Sequence, residues 1–292
     1  MQRYIEEYVE YLKKVKKLSD NSCNAYRGDL RDFFTELNIE NPVEATNTDI
    51  VAFTLKLKKD GRSPSTVNRK VASLKSFYRY LFKNGIMDNN PADNLKSPKI
   101  ERKKIEYLTI SEVEKILEIP DDSVKGKRDR SILEIMYATG IKASEVTDAD
   151  VSDLNLRMGF ITCRGEHGKA RIVPIGRPAR QALEEYIYDA RQTILKNKDE
   201  QDALFLNLSG ERMTRQGLWK ILKEYAEKAD IEKKITPQIL RNSFAAHMIQ
   251  NGADLKSLQE LMGYEDITAT QIYLTVSKNR IKEVYDNAHP RA

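Results

Sequence analysis

Between residues 87 and 108 the apolar repeat of this chain stops. The run MDNNPADNLKSPKIERKKIEYL holds two prolines, three asparagines and the basic stretch ERKK. Proline removes a backbone donor and fixes φ, asparagine favours turns, and clustered charge resists burial, so the stretch reads as a linker. A chain of 292 residues is long for one core. A break at this place divides it into two domains, 1–86 and 109–292, joined by the linker 87–108.

Before the break, apolar side chains recur at three- and four-residue spacing, which predicts four helices. Ile5, Tyr8, Val9, Leu12 and Val15 line the first, and Tyr26, Leu30, Phe33, Phe34 and Leu37 line the second. The third opens at Asn47 or Thr48 as cap and stops at Gly61. The fourth opens at Ser63 with Pro64 in the first helical position and runs through Val67, Val71, Leu74, Phe77, Tyr78 and Leu81. Between those apolar positions stand Arg69, Lys70, Lys75 and Arg79. The charge of the chain is uneven in the same sense. Residues 1–100 carry 18 Lys/Arg against 13 Asp/Glu, while the rest is balanced. A basic helix face in the positive half points to a polyanion, with a solvated surface as the alternative reading.

After the break, Thr109 and Glu112 form a capping box that opens the second domain. A helix through 132–138 ends at Gly140, and a short one follows from Ser144. GFITCRG and ARIVPIG read as strands of a hairpin across EHGK, and DALFLN is a candidate further strand. The remaining helices are expected over 177–191, 214–229, 237–251, 254–262, 266–274 and 279–288. The fold class is therefore mainly α, with a small antiparallel sheet inside the second domain.

No apolar run approaches the ~18 residues of a membrane helix. The opening residues MQRYIEEYVEYLKKVKK are charged and amphipathic, unlike a secretory leader, so the expected compartment is the cytoplasm and no membrane partner is expected. Cys23 and Cys163 read as reduced thiols. With no Cys/His cluster and no carboxylate cluster, neither a metal nor another cofactor is expected.

Three segments carry a resemblance. YATGIKASEV (137–146) resembles the first conserved box of the tyrosine recombinase, or phage integrase, family. TPQILRNSFAAHMIQNGADLKSLQELMGYEDITATQIYLTVS (236–277) resembles its second box and nucleophile segment. The terminal AHPRA (288–292) resembles the end of its Xer-like members. The resemblance covers essentially the whole chain. It implies an N-terminal four-helix, core-binding, SAM-like domain and a C-terminal α+β catalytic domain. It also implies site-specific DNA recombination, in which a tyrosine phenolate attacks a phosphodiester, expels the 5′ hydroxyl and forms a 3′-phosphotyrosyl bond. The 5′ hydroxyl of a second strand then reverses that step. Such chemistry needs an in-line nucleophile, cations around the phosphorus and a proton for the leaving oxygen.

Carried over position by position, the resemblance makes Tyr273 the nucleophile and Arg241 the second arginine, whose planar fork suits two phosphate oxygens. Four positions depart from the family pattern. Lys142 stands for the first arginine, Gln238 for the histidine of the second box, Tyr264 for the later histidine or tryptophan, and Glu166 for the hairpin lysine. Lys keeps charge without the bidentate fork, an amide donates a hydrogen bond without carrying a proton, and a carboxylate repels a phosphate. Lys169, three residues past Glu166, is the candidate substitute. His167 lies beside Glu166, His247 reads as a packing residue on the helix of Arg241, and His289 belongs to the tail.

Two readings survive: a working recombinase, and a catalytically impaired paralogue that binds DNA sequence-specifically. Both imply double-stranded DNA as partner, with the two domains closing around it. Tyr26, Arg27, Arg69, Lys70, Lys75 and Arg79 are the expected phosphate contacts. The resemblance further implies a homo-tetramer, or a hetero-tetramer with a related recombinase, on two DNA sites. The tail 279–292, with Ile281, Val284 and Tyr285, would dock on a neighbouring protomer.

Overall fold

The computed structural model describes residues 1–95, 105–165, 169–196, 201–264 and 266–273. The chain divides into two compact units, Met1–Lys103 and Lys104–Ala292.

Four helices build the first unit: α1 (Gln2–Lys14), α2 (Asp20–Glu36), α3 (Asn47–Lys59) and α4 (Pro64–Lys83). Each of the last three opens on a hydroxyl cap. Ser19 Oγ accepts the Ser22 N–H, Thr46 forms a full capping box with Asp49, and Ser63 Oγ accepts the Thr66 N–H. The cap of α3 is thus Thr46, one residue before Asn47 and two before Thr48, the expected caps. The reciprocal bonds with Asp49 single it out, whereas Asn47 donates its side-chain N–H to Pro91 O at 2.9 Å. The expected apolar faces meet in one core, in which Tyr8, Phe33, Phe34 and Phe77 are buried and pack edge-on at ring distances of 5.0–5.8 Å. Val15 is the exception. It caps the C-terminus of α1 and is 64% exposed.

The second unit opens at α5 (Ile110–Glu118), where Thr109 and Glu112 form the expected capping box. It continues with α6 (Val124–Thr139), α7 (Ala143–Asp148), β1 (Leu154–Asn155), β2 (Phe160–Arg164), β3 (Ala170–Pro174) and α8 (Arg177–Glu185). A π-turn over Tyr186–Ala190 leads into α9 (Arg191–Leu195), then α10 (Arg215–Lys228), α11 (Pro237–Gln250), α12 (Leu255–Met262) and α13 (Thr268–Gln271). The sheet is antiparallel in the order β1-β2-β3, with Ile161 opposite Val173. Both of those side chains face the core, as the alternation of ITC and RIV expects. DALFLN adds no strand. Its buried Ala203 and Leu206 make isolated bridges to Asp150 and Arg212, and Leu206 N–H donates to the Tyr186 hydroxyl. Those partners are a loop and a side chain rather than a strand edge. The expected helix 279–288 lies outside the described residues.

Cys23 and Cys163 are free and buried. Burial pushes the Cys163 thiol up to about 12, so it stays protonated at neutral pH. No described helix is long and apolar enough to cross a membrane. Among the described residues no group of three His, Cys, Asp or Glu is placed to hold a metal ion.

Candidate active site

The site forms where α11 runs past the end of α6 and the end of α12. Helix α6 ends on Gly140 in the left-handed region, at φ 59°. A Cβ there would stand 2.3 Å from Phe244 Cδ1 on α11. Glycine is thus required twice, for the backbone turn and for the close approach. That approach brings the Gly140 carbonyl to Arg241, whose Nη1 donates to it. Lys142 follows two residues later and caps the start of α7.

Helix α12 ends on another left-handed glycine, Gly263, at φ 64°. The last carbonyls of a helix lack intrahelical donors, and two guanidinium groups supply them here. Arg241 Nη2 donates to Met262 O at 2.6 Å, and Arg171 Nε donates to Leu261 O at 2.7 Å. A side chain on Gly263 would reach 2.9 Å from Arg171 Nη1, so this end of α12 closes directly onto the arginine. Arg171 is fixed in turn by Glu145 of α7, through a bidentate pair at 2.5 and 2.9 Å. Burial pushes the Glu145 carboxyl up. The Arg171 hydrogen bonds, the Lys142 N–H and the charges of both residues outweigh it and hold the group below the usual carboxylate range.

Arg241 is 3% exposed. Its Cζ lies 4.9 Å from the centre of the Tyr264 ring. Two of its five guanidinium N–H groups go to carbonyls. Beyond Tyr264 lies Tyr273, just past α13. Its ring is fully buried in a satellite cluster with Phe244, Ile249, Leu258 and Met262. Tyr273 is therefore a core aromatic, 0% exposed, whose hydroxyl is turned toward Asn242 next to Arg241 on α11. That hydroxyl donates to Asn242 Oδ1 at 2.9 Å. Burial raises its pKa well above that of a free phenol, the adjoining Tyr264 phenol adds to the rise, and Arg241 opposes it.

Most of the expected site residues thus share one region. Tyr273, Tyr264 and Arg241 adjoin one another, Gln238 donates to the same Asn242 oxygen at 2.8 Å, and Lys142 stands one corner from the Arg241–Gly140 contact. Lys169 is exposed at the hairpin, where its carbonyl accepts the Gly165 N–H at 2.7 Å. Glu166 and His167 lie outside the described residues, as do His289 and the tail. His247 packs as expected, with Nδ1 2.9 Å from the Tyr137 hydroxyl, and burial lowers its pKa. Arg171, Glu145 and Asn242 also stand at the site, although none is among the residues the sequence points to. The sequence signal for the first was a charged residue inside a strand whose neighbours alternate into the core.

In the first unit the expected phosphate contacts separate into two groups. Lys70 is 6% exposed and bonds Asp29 at 3.0 Å and Asp32 at 2.6 Å. Arg69 also pairs with the buried Asp29, Arg27 bonds Glu6 at 3.1 Å, and Tyr26 packs against the core. Lys75 and Arg79 form no ion pair among the described residues. The basic face is narrower than the spacing suggests because α2 brings Asp29 and Asp32 against it.

A three-stranded sheet set among helices thus accompanies a buried tyrosine and a buried arginine that meet near the ends of two glycine-capped helices. Residues 106–280 match the phage integrase family, and residues 5–85 match its N-terminal SAM-like domain. The chain belongs to the phage integrase family of tyrosine recombinases. It is 41% identical over 292 residues to tyrosine recombinase XerD of Oceanobacillus iheyensis, covering 99% of this chain and 98% of the relative. It is 43% identical over 297 residues to the XerD of Listeria innocua, with both chains fully covered. Among solved structures, XerH bound to palindromic difH substrate in a post-cleavage complex aligns with a TM-score of 0.75 at 22% identity, over 96% of this chain and 82% of that one. A lambda integrase dimer bound to a core site aligns with a TM-score of 0.74 at 15% identity, over 94% of each chain.

Proposed function

We propose that this protein is a site-specific DNA recombinase that cuts and rejoins strands through a 3′-phosphotyrosyl bond at Tyr273. The observation that carries this reading is the convergence of the Tyr273 phenol, the Tyr264 ring and the Arg241 guanidinium in one region, in a chain that matches XerD relatives from end to end. In the reaction the Tyr273 oxygen forms a bond to phosphorus, the bond from phosphorus to the 5′ oxygen breaks, the phenol gives up its proton and the leaving oxygen takes one. The 5′ hydroxyl of the partner strand then attacks the phosphotyrosine and returns Tyr273 to a phenol. Bond energy is conserved, so no nucleotide cofactor enters.

Each side chain has a role suited to its chemistry. Arg241 uses its remaining N–H groups on the non-bridging oxygens of the phosphate. Lys142 adds a positive charge from the start of α7. Tyr264 and Gln238 donate hydrogen bonds, and Lys169 on the hairpin supplies the proton for the leaving oxygen. The division of labour follows the chain: 1–86 binds DNA, 87–108 links, and 109–292 carries the chemistry. Lys75 and Arg79 contact phosphates, helped by the exposed part of Arg69. The assembly that exchanges strands is a tetramer on two DNA sites, of this chain alone or with a related recombinase, working in the cytoplasm.

The test is a nicked suicide duplex carrying candidate sites, in which the fragment beyond the cleaved bond diffuses away. The protein is expected to form a covalent band that Tyr273→Phe lacks. Clean binding with no adduct on a verified site would contradict the reading.

A further inference from the structure

Asn242 stands on α11 directly after Arg241, and its one amide group is shared three ways. Oδ1 accepts the Tyr273 hydroxyl at 2.9 Å and Gln238 Nε2 at 2.8 Å. An amide oxygen has two lone pairs, so both are filled. Nδ2 donates to the Glu106 carbonyl at 3.0 Å. Glu106 belongs to the short segment by which the chain enters the catalytic unit, and the same helix holds that segment at further points. Leu108 N–H donates to Ser243 Oγ at 2.9 Å, the Tyr107 ring meets His247 edge-on, and Gln250 Nε2 reaches the Tyr107 hydroxyl at 3.4 Å. Ile105 packs on the cluster that holds the Tyr273 ring.

A phenol whose proton is held by a neutral amide oxygen, and whose ring is fully buried, is not presented to a phosphorus atom. We propose that Asn242 is a positioning residue that holds the Tyr273 hydroxyl in a withdrawn state and ties it to the 105–108 segment. Movement of that segment draws on the amide and frees the nucleophile. The inference rests on the reading of Tyr273 as nucleophile, but the contact it concerns exists in the protein without DNA and is tested there.

The experiment uses the full-length protein in the absence of DNA. Tyrosines are nitrated with tetranitromethane and mapped by peptide mass, and amide hydrogen exchange is followed over residues 105–109. Asn242→Ala is expected to raise nitration of Tyr273 about fivefold to tenfold, the equivalent of one neutral hydrogen bond, and to raise exchange at 105–109. Asn242→Asp keeps an acceptor for the phenol and loses the donor to Glu106. It is expected to leave Tyr273 as protected as in the parent protein while exchange at 105–109 rises. The buried Tyr78 and Tyr186 report folding in each variant. Tyr273 nitration at the parental level in folded Asn242→Ala would overturn the proposal. So would Asn242→Asp exposing Tyr273 while Tyr78 and Tyr186 stay protected, or leaving exchange at 105–109 unchanged. If Asn242→Ala unfolds, the Asp variant decides alone. A missing DNA adduct would count against the nucleophile reading and leave these outcomes intact.

Discussion

Arg241 and Gly140 depend on each other. The guanidinium is held by the Gly140 carbonyl, and that carbonyl is in reach because Gly140 lies against Phe244 with a left-handed backbone. Gly140→Ala adds a methyl where 2.3 Å is available and strains φ. A stability loss above about 1–2 kcal/mol is expected from the backbone alone, read as a lowered Tm. Lys142 offers a prediction of the opposite sign. Its ammonium lacks the bidentate fork, so Lys142→Arg is expected to raise single-turnover adduct formation at least about tenfold, a fraction of what one positioned donor is worth. An unchanged rate would show that the α7 corner does not face the phosphate. Glu145 gives a pH signature. Its folded pKa lies below the unfolded value, so its contribution is present above the ordinary carboxylate value, ~4.3, and is lost as pH falls through the folded one. Glu145→Gln, which leaves the half-buried Arg171 without its carboxylate, is expected to lower Tm at pH 7. That difference should shrink as pH falls below about 4, because the parent carboxyl then also becomes neutral. A difference independent of pH would contradict the assigned charge state.

At the scale of elements, the end of α12 is the part on which the site turns. Arg171 from β3 and Arg241 from α11 stake its last two carbonyls and so set where Tyr264 stands. Arg171→Leu is expected to abolish adduct formation while half-site binding persists, since β3 carries no proposed DNA contact; gel shifts and adduct gels on one preparation separate the two effects. Much of this architecture was legible in the sequence. The apolar spacing placed α1, α2, α4, α10, α11 and α12, and the capping chemistry of Ser63 and Thr109 set their helix starts exactly where a hydroxyl meets a free N–H. Legibility failed where partners come from far along the chain. Thr46 outranked Asn47 as a cap because Asp49 reciprocates. DALFLN looked like a strand because it is apolar, yet the neighbours that would make it one are a loop and Arg212. The ion pair of Arg171 and Glu145 spans 26 positions and the Tyr273–Asn242 bond spans 31, separations at which local pattern carries no signal. Asp29 and Asp32 hid in the same way behind the apparent basic face of α4.

At the scale of the whole molecule the chain divides into two compact units, and in the proposed reading the first contributes charge and the second the reacting groups. Binding to DNA is expected to weaken steeply with salt. Lys75→Ala and Arg79→Ala should each reduce the slope of log affinity against log salt by about one unit. Lys70→Met, which removes a buried partner of Asp29, should instead lower Tm and leave the slope near its parental value. Equal effects of all three on the slope would mean that Lys70 reaches the phosphates. The role of one oxygen atom, that of the Tyr273 hydroxyl, decides the reaction. It is tested most directly by digesting the adduct formed on a nicked duplex with nuclease and protease and sequencing the modified peptide by mass spectrometry. The expected result is a nucleotide 3′-phosphate on Tyr273; a phosphate on any other residue, or none recovered from a duplex the protein demonstrably binds, would contradict it.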